Sequence, residues 1–265
     1  MTEFKRLLAE AGLDADMAIE VLRQHSLASV MVGALKERLT KPFARYTAML
    51  VSPIDWLARL REYNAKYWGN KFAFEDFAKA EAQLALVPTG HVQGVDNIFG
   101  FHAQGDSLKE TFEMWYKVYQ GELPSTWRWP ELKMNAKRLR LHKLARPYEP
   151  GIHLVNIDLV AHWEPEDRRT VEEVREQAKS SGEILAQLEV VSIYGVLTRL
   201  FMEQDGENFP YSDMPGTDVI VTVDSRPHAL AVRWNRFVRE AEFDAFSVGY
   251  RRSKFAAPVL RELQS

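Results

Sequence analysis

The chain has 265 residues and a net charge of −3, and 46% of its residues are hydrophobic and 27% are charged. This balance is typical of a folded globular protein, and it disfavours both disorder and a globally basic nucleic-acid binder. Because the sequence contains no cysteine, it excludes disulfides, thiolate zinc sites, iron–sulfur clusters and a cysteine nucleophile.

The N-terminal segment and the hydropathy pattern favour a location in the cytoplasm. Residues 1–12 carry several charges and contain no apolar core of the kind that a secretory signal needs. No uncharged stretch is long enough to cross a bilayer. We therefore expect a cytoplasmic protein that does not enter a membrane.

Two helices are predicted in the first half of the chain, beyond two or three short amphipathic helices within residues 2–39. Ser52 and Pro53 suit the N-cap and first position of a helix, and Gly69 is placed to end it in a left-handed conformation. The second helix spans residues 106–121, and its apolar face consists of Leu108, Phe112, Trp115 and Tyr119.

The stretch between these helices predicts a loop. Residues 88–105 are rich in glycine, and a short strand is expected just before them at residues 84–87.

The second half of the chain favours strands. Residues 153–163 alternate, which predicts a half-buried strand with Val155, Ile157, Leu159 and Trp163 facing the core and Asn156 and Asp158 more exposed. Further strands are expected at residues 219–223, 230–238 and 243–250, and a short turn at residues 239–242 would make the last two a hairpin.

Helices are expected between the first two of these strands. Thr170 and Glu173 form a capping box that opens one helix, and Gly182 is placed to end or kink it. Residues 183–204 are predicted to be mostly helical, although part of this stretch is rich in β-branched residues.

These elements predict an α+β fold, with a helical N-terminal half followed by a small antiparallel sheet that carries a helical insertion. The segment 146–151, which contains Pro147 and Pro150, is the expected boundary between a mostly helical region, residues 1–146, and an α+β region, residues 147–265. The alternative is that this segment is a turn within one single domain.

The motifs that most often identify enzymes are absent. The sequence contains no phosphate-binding P-loop, no dinucleotide-binding GxGxxG, no GxSxG nucleophile elbow, no HExxH and no EF-hand loop. An enzyme with this sequence would have to assemble its site from scattered residues.

Basic residues are concentrated in two segments, residues 133–146 and residues 226–261, and aromatic residues lie just before the first of them. Cations neutralise phosphates and aromatic rings stack on unpaired bases, so this combination predicts a surface for single-stranded nucleic acid. The alternative is a solvated amphipathic segment whose leucines and neighbouring aromatics belong to the core. The candidate binding residues are Lys133, Lys137, Arg138, Arg140, Lys143, Arg146, Trp127, Trp129, Arg233 and Arg236.

Two polar groups of residues were considered as metal or acid–base sites. Residues 203–224 are acidic. They predict a surface loop whose negative charge balances the positive charge of the hairpin expected from residues 230–238 and 243–250. His91, Asp96 and His102 lie in the glycine-rich stretch, but their spacing fits no regular element, so we expect no shared metal and no cofactor.

The sequence therefore favours a non-catalytic binding protein whose partner is nucleic acid or another anionic macromolecule. A protein partner or a homo-oligomer is also compatible with it. The alternatives are a metal-dependent or acid–base hydrolase that uses scattered His, Asp and Glu residues, and a structural subunit of a larger assembly.

Overall fold

The computed structural model describes residues 51–88, 98–134, 139–158, 161, 169–203, 211–220, 226–235, 240–251 and 255–263, with only the backbone for residues 133–134 and 198–203. The short helices expected within residues 2–39 lie outside these ranges.

The first helix, α1 (Pro53–Lys66), begins where the sequence predicts. The Ser52 Oγ accepts a hydrogen bond from the Asp55 amide at 3.2 Å, and Pro53 occupies the first turn, where its missing N–H costs nothing. The helix ends before Gly69, whose φ of 63° confirms the left-handed conformation expected there.

The region between the two clearest helices differs from the prediction. A helix, α2 (Phe74–Ala82), is followed by a 3-10 turn (Gln83–Leu86) where a strand was expected. The glycine-rich stretch contains strand β1 (Ile98–Gln104), which is buried throughout. Its residues enter the core because β4 pairs with it along one edge and helices pack against it, a tertiary arrangement that glycine content does not reveal.

The second clear helix, α3 (Leu108–Glu122), is capped by Ser107 and buries Phe112, Trp115 and Tyr119 as its spacing predicts. The segment after it is not purely helical. It forms strand β2 (Ser125–Arg128), helix α4 (Pro130–Met134) and strand β3 (Leu139–Leu141).

Strand β4 (Gly151–Asp158) covers the first part of the predicted alternating strand. Val155 and Ile157 are more buried than Asn156 and Asp158, in the predicted order, yet Asn156 is itself only 6% exposed. The strand is therefore buried on both faces. Leu159 and Trp163 lie outside the described residues.

The predicted helical insertion is present with one change. Thr170 and Glu173 form the capping box that opens α5 (Val171–Ser181), and Gly182 ends the helix with a φ of 75°. The stretch after it was predicted to be mostly helical, but it first forms the short strand β5 (Ile184–Leu185) and then helix α6 (Glu189–Glu203).

The remaining strands lie earlier in the chain than predicted. Part of the acidic segment expected as a loop is strand β6 (Tyr211–Val219), in which Asp213 is only 6% exposed. The last strands are β7 (His228–Asn235), β8 (Glu240–Ser247), β9 (Phe255–Ala256) and β10 (Val259–Leu260).

The strands form two sheets. The four-stranded sheet has the order β1-β4-β10-β5 and is antiparallel. The six-stranded sheet has the order β2-β8-β7-β6-β3, with β9 also paired to β6. In it β7 and β8 pair antiparallel, as predicted, whereas β2 runs parallel to β8. The α+β class is confirmed. The predicted arrangement is only partly right, because β1, β2 and β3 precede residue 146 and pair with strands that follow it, and the strands form two sheets where one small sheet was expected.

Helix α6 packs closely on α3 and on β1 at the centre of the core. A Cβ at Gly195 would approach the Trp115 ring to 2.6 Å, so only glycine allows this contact between α6 and α3. Trp115 in turn donates a hydrogen bond from its indole to the Ala103 carbonyl of β1 at 3.0 Å. This packing fixes the N-terminal turn of α6 against the four-stranded sheet.

The N-cap of α1 gives a direct test of the fold. Ser52→Ala should reduce the free energy of unfolding by about 1 kcal/mol, because the Asp55 amide loses its acceptor. Urea unfolding measures the loss, and Ser52→Asp, which keeps a capping oxygen, should restore most of it. An unchanged stability in Ser52→Ala would contradict the assigned role.

Candidate functional site

The structure separates the residues predicted to form a nucleic-acid surface. Arg140 on β3 and Lys143 just after it are exposed, and neither makes an ion pair with another described residue. Lys137, Arg138 and Arg236 lie outside the described residues, and only the backbone of Lys133 is described, in α4.

The predicted aromatic partners lie at the other edge of the six-stranded sheet. Trp127 is on β2, four strand positions from β3, and Trp129 follows directly; both are half-buried. At the usual spacing of strands this is about 19 Å from Arg140. The aromatics farther upstream, Trp115 and Tyr119, belong to the core.

The described candidate arginine of the C-terminal hairpin is paired with a carboxylate. Arg233 on β7 forms an ion pair with Glu242 on the neighbouring strand β8, and its guanidinium lies 5.7 Å from the centre of the Tyr211 ring. In the acidic segment, Asp218 likewise pairs with an arginine, because it accepts a hydrogen bond from Arg175 of α5 at 2.7 Å.

Arg146 is the predicted residue with the most unusual surroundings. It lies in the loop between β3 and β4, and its Nη2 is 3.5 Å from Oε1 of Glu189, the first residue of α6. The Glu189 side chain has no exposed surface. The distance allows charge attraction, but neither of these two atoms makes a hydrogen bond.

Further polar side chains surround this ion pair. The Gln187 side chain donates a hydrogen bond to the Arg146 carbonyl at 3.3 Å, and the Gln187 backbone amide donates to Glu189 Oε2 at 2.7 Å. One turn into α6, Ser192 is hydrogen-bonded to Nδ1 of His102 on β1, and both residues are fully buried. We call these residues the buried polar cluster: His102, Arg146, Gln187, Glu189 and Ser192.

Several atoms of the buried polar cluster lack hydrogen-bond partners. Folded proteins satisfy nearly all buried polar atoms, so a concentration of unsatisfied ones marks a region that needs explanation. The cluster contains four such atoms, and Gln104, two residues after His102 on the same face of β1, contributes another through its Nε2. The four are His102 Nε2, Arg146 Nη2, Gln187 Oε1 and Glu189 Oε1.

Arg146 connects the buried polar cluster to an open pocket of about 310 Å³, which we call the Arg146 pocket. Arg261 lies in its wall and donates to Asp158 at 2.8 Å and to Glu183 at 3.1 Å, so its charge is already balanced. Asn156 also lines it, and its buried Oδ1 accepts no hydrogen bond. The full lining is Arg146, Leu154, Val155, Asn156, Ile184, Leu260, Arg261, Glu262 and Leu263.

Burial raises the pKa of the carboxyl group in the buried polar cluster and lowers the pKa of its histidine. Burial raises the pKa of the Glu189 carboxyl above its ordinary value, and the charge of Arg146 opposes this shift. Burial also lowers the pKa of His102 well below its ordinary value, with Arg146 and His153 acting in the same direction. His153 is the cross-strand neighbour of His102, and burial lowers its pKa as well.

Sequence patterns identified only part of this site. Arg146 was predicted as a phosphate contact, and His102 was considered with His91 and Asp96, which lie outside the described residues. Glu189 and Ser192 carry no signal, because they sit at the start of an apolar helix and their partners come from distant segments.

No group of three or more His, Asp or Glu side chains suited to a metal occurs in the described part of the chain. Within the same ranges, no helix combines the length and apolarity needed to cross a membrane. No protein-family model, curated protein or solved structure matches this chain.

The two pKa shifts act on stability with opposite signs. A carboxyl with a raised folded-state pKa stabilises the protein fully below its unfolded pKa, about 4.3, and loses this contribution as the pH rises through the folded value. A histidine with a lowered pKa contributes fully above about 6.5 and loses this contribution as the pH falls. Glu189 therefore weakens the fold toward high pH and His102 toward low pH.

Glu189→Gln tests the first of these effects. Relative to the natural protein, the variant should become more stable as the pH rises above about 4.3, by up to about 1.4 kcal/mol per pH unit within the titration range of Glu189. Urea unfolding at a series of pH values measures this difference. Glu75→Gln, at an exposed position on α2, is the control. A difference that does not change with pH would show that Glu189 titrates normally.

Proposed function

We propose that the protein binds a small organic anion, a monocarboxylate with an aliphatic part, in the Arg146 pocket and has no catalytic role. The observation that carries the proposal is the Arg146 side chain, which is 31% exposed and lines an open pocket while its buried Nη2 faces Glu189. A hydrogen bond to a charged group contributes about 1.5–3 kcal/mol, and the other N–H groups of this side chain can offer such bonds to an incoming carboxylate.

The charges around the pocket favour a single carboxylate over a polyanion. The guanidinium of Arg146 matches a carboxylate geometrically, because its N–H groups form a planar fork. Arg261 already serves Asp158 and Glu183, and Glu262 adds a further negative charge to the lining. The phosphates of a nucleic acid would bring more negative charge than the pocket could neutralise.

The walls of the pocket suit an aliphatic chain. Its volume equals that of about ten liquid water molecules, at roughly 30 Å³ each, which is enough for a short-chain acid. Burying such a chain gains about 0.8 kcal/mol for each CH₂ group. The apolar lining consists of Leu154, Val155, Ile184, Leu260 and Leu263.

The enzyme alternative has one supporting contact, the hydrogen bond between Ser192 and His102. A serine beside a histidine is the arrangement of an activated nucleophile. Both side chains have no exposed surface, however, and the bond uses His102 Nδ1 while Nε2 remains unsatisfied in the interior. A substrate would have to enter the core, so this contact supports a structural role and the non-catalytic proposal.

Hexanoate is the probe for this proposal. The natural protein should bind hexanoate in a calorimetric titration, and Arg146→Gln should weaken binding about 10- to 100-fold, the usual value of a charged hydrogen bond. Arg146→Lys should lose a smaller part, because it keeps the charge without the fork. Arg140→Gln, on the exposed β3 edge, is the matched control and should bind normally.

Circular dichroism should first establish that each variant is folded. Absence of hexanoate binding in the natural protein, or equal binding in folded Arg146→Gln, would overturn the proposal.

A second candidate function is weak binding of single-stranded nucleic acid at the β3 edge. The observation that favours it is the pair of exposed cations, Arg140 and Lys143, neither of which forms an ion pair with another described residue. Exposed cations that are free of carboxylate partners can neutralise phosphates. Because phosphate contacts carry no sequence information, this surface would select charge and not sequence.

Salt dependence separates this candidate from the first. Replacing Arg140 and Lys143 with alanine should flatten the plot of log affinity against log salt by about 1.4, since each single-strand phosphate contact contributes about 0.7. Fluorescence anisotropy with a labelled oligonucleotide measures the slope, and Arg146→Gln should leave it unchanged. No binding by the natural protein at low salt would eliminate this candidate.

A further inference from the structure

We infer that the Arg146 pocket couples ligand binding to proton uptake, so that a carboxylate entering the pocket protonates Glu189. This inference rests on the proposed function, because it describes the same pocket and the same guanidinium. It follows from the arrangement of one cation between two acceptors, one buried behind it and one arriving from the pocket.

Arg146 is the charged group that faces Glu189. Its Nη2 lies 3.5 Å from Glu189 Oε1, and no other ion pair to this carboxylate occurs among the described residues. A neutral donor beside it is the backbone amide of Gln187, which donates to Glu189 Oε2.

The other titratable groups on the surrounding elements contact residues other than Glu189. His102 on β1 bonds Ser192, while His153 on β4 lies beside the Glu149 carbonyl at 2.9 Å. On α3, Tyr119 bonds the Val191 carbonyl, and on α1, Arg59 bonds the Val196 carbonyl, both further along α6. None of these groups can replace Arg146 as the counter-charge of Glu189.

An arriving carboxylate changes the balance at Glu189. If it takes the N–H groups of Arg146, the guanidinium is shared by two carboxylates, and the buried one has no water to stabilise its charge. Protonation removes that charge. The proton comes from solvent and forms the O–H bond of the Glu189 carboxylic acid. The ligand remains ionised, so the site still contains one cation and one anion.

Because proton uptake and ligand binding are thermodynamically linked, the affinity for the ligand must depend on pH. A site that takes up a proton on binding must bind its ligand more tightly as the pH falls. Between the pKa of Glu189 in the free protein and its higher pKa in the complex, the dissociation constant for hexanoate should rise by up to about tenfold for each pH unit, because one proton enters with each ligand. Where Glu189 is already protonated, the affinity should level off.

Calorimetry measures this proton directly. Hexanoate is titrated into the natural protein near neutral pH in HEPES and in Tris, whose ionisation enthalpies differ, and the difference in observed heat gives the protons taken up. We expect proton uptake of up to one proton per hexanoate. Glu189→Gln should bind hexanoate with no proton uptake and with an affinity independent of pH. His153→Gln, the control at a nearby titratable residue, should retain the uptake.

The outcomes separate the inference from the proposed function. Binding by the natural protein without proton uptake overturns the inference and leaves the proposed function standing. Equal uptake in Glu189→Gln assigns the proton to another group and also overturns the inference. If hexanoate does not bind the natural protein at all, the proposed function fails and the inference fails with it.

Discussion

A buried carboxylate at the start of α6 requires a cation beside it, and Arg146 supplies that cation from the loop between β3 and β4. Since β3 belongs to the six-stranded sheet and β4 to the four-stranded one, this loop joins the two sheets. Losing the charge of Arg146 would leave Glu189 uncompensated in the core, which is among the costlier defects a protein can contain. The contact therefore fixes the loop, the helix and the wall of the pocket together.

The same contact divides the basic segment into two chemically different parts. Arg140 and Lys143 are exposed at and just after β3 and form no ion pair with another described residue, while Arg146 lies beside Glu189. Sequence proximity suggested one continuous surface. The strand that ends at residue 141 and the loop after it place these cations in environments with different solvent exposure.

Close backbone contact allows the cluster to form where the two sheets meet. The Gly216 amide in β6 donates to the Ala186 carbonyl at 2.7 Å, and a Cβ at Gly216 would lie 2.8 Å from that oxygen. Only glycine permits this approach, which brings β6 beside the segment that leads into α6. Gln187 and Glu189 follow directly in the chain, so a glycine in the six-stranded sheet helps to position the polar residues at the start of α6.

Local rules in the sequence determined the helix starts of α1 and α5 and the pairing of β7 with β8, because caps and strand alternation act over a few residues. Ser52 and Thr170 cap their helices as predicted. The tertiary structure decided that the glycine-rich stretch contains β1 and that the acidic segment contains β6. It also decided that Glu189 faces Arg146, 43 residues before it in the chain. Burial and ion pairing depend on which distant segments cover a residue, and no local pattern in one sequence records that.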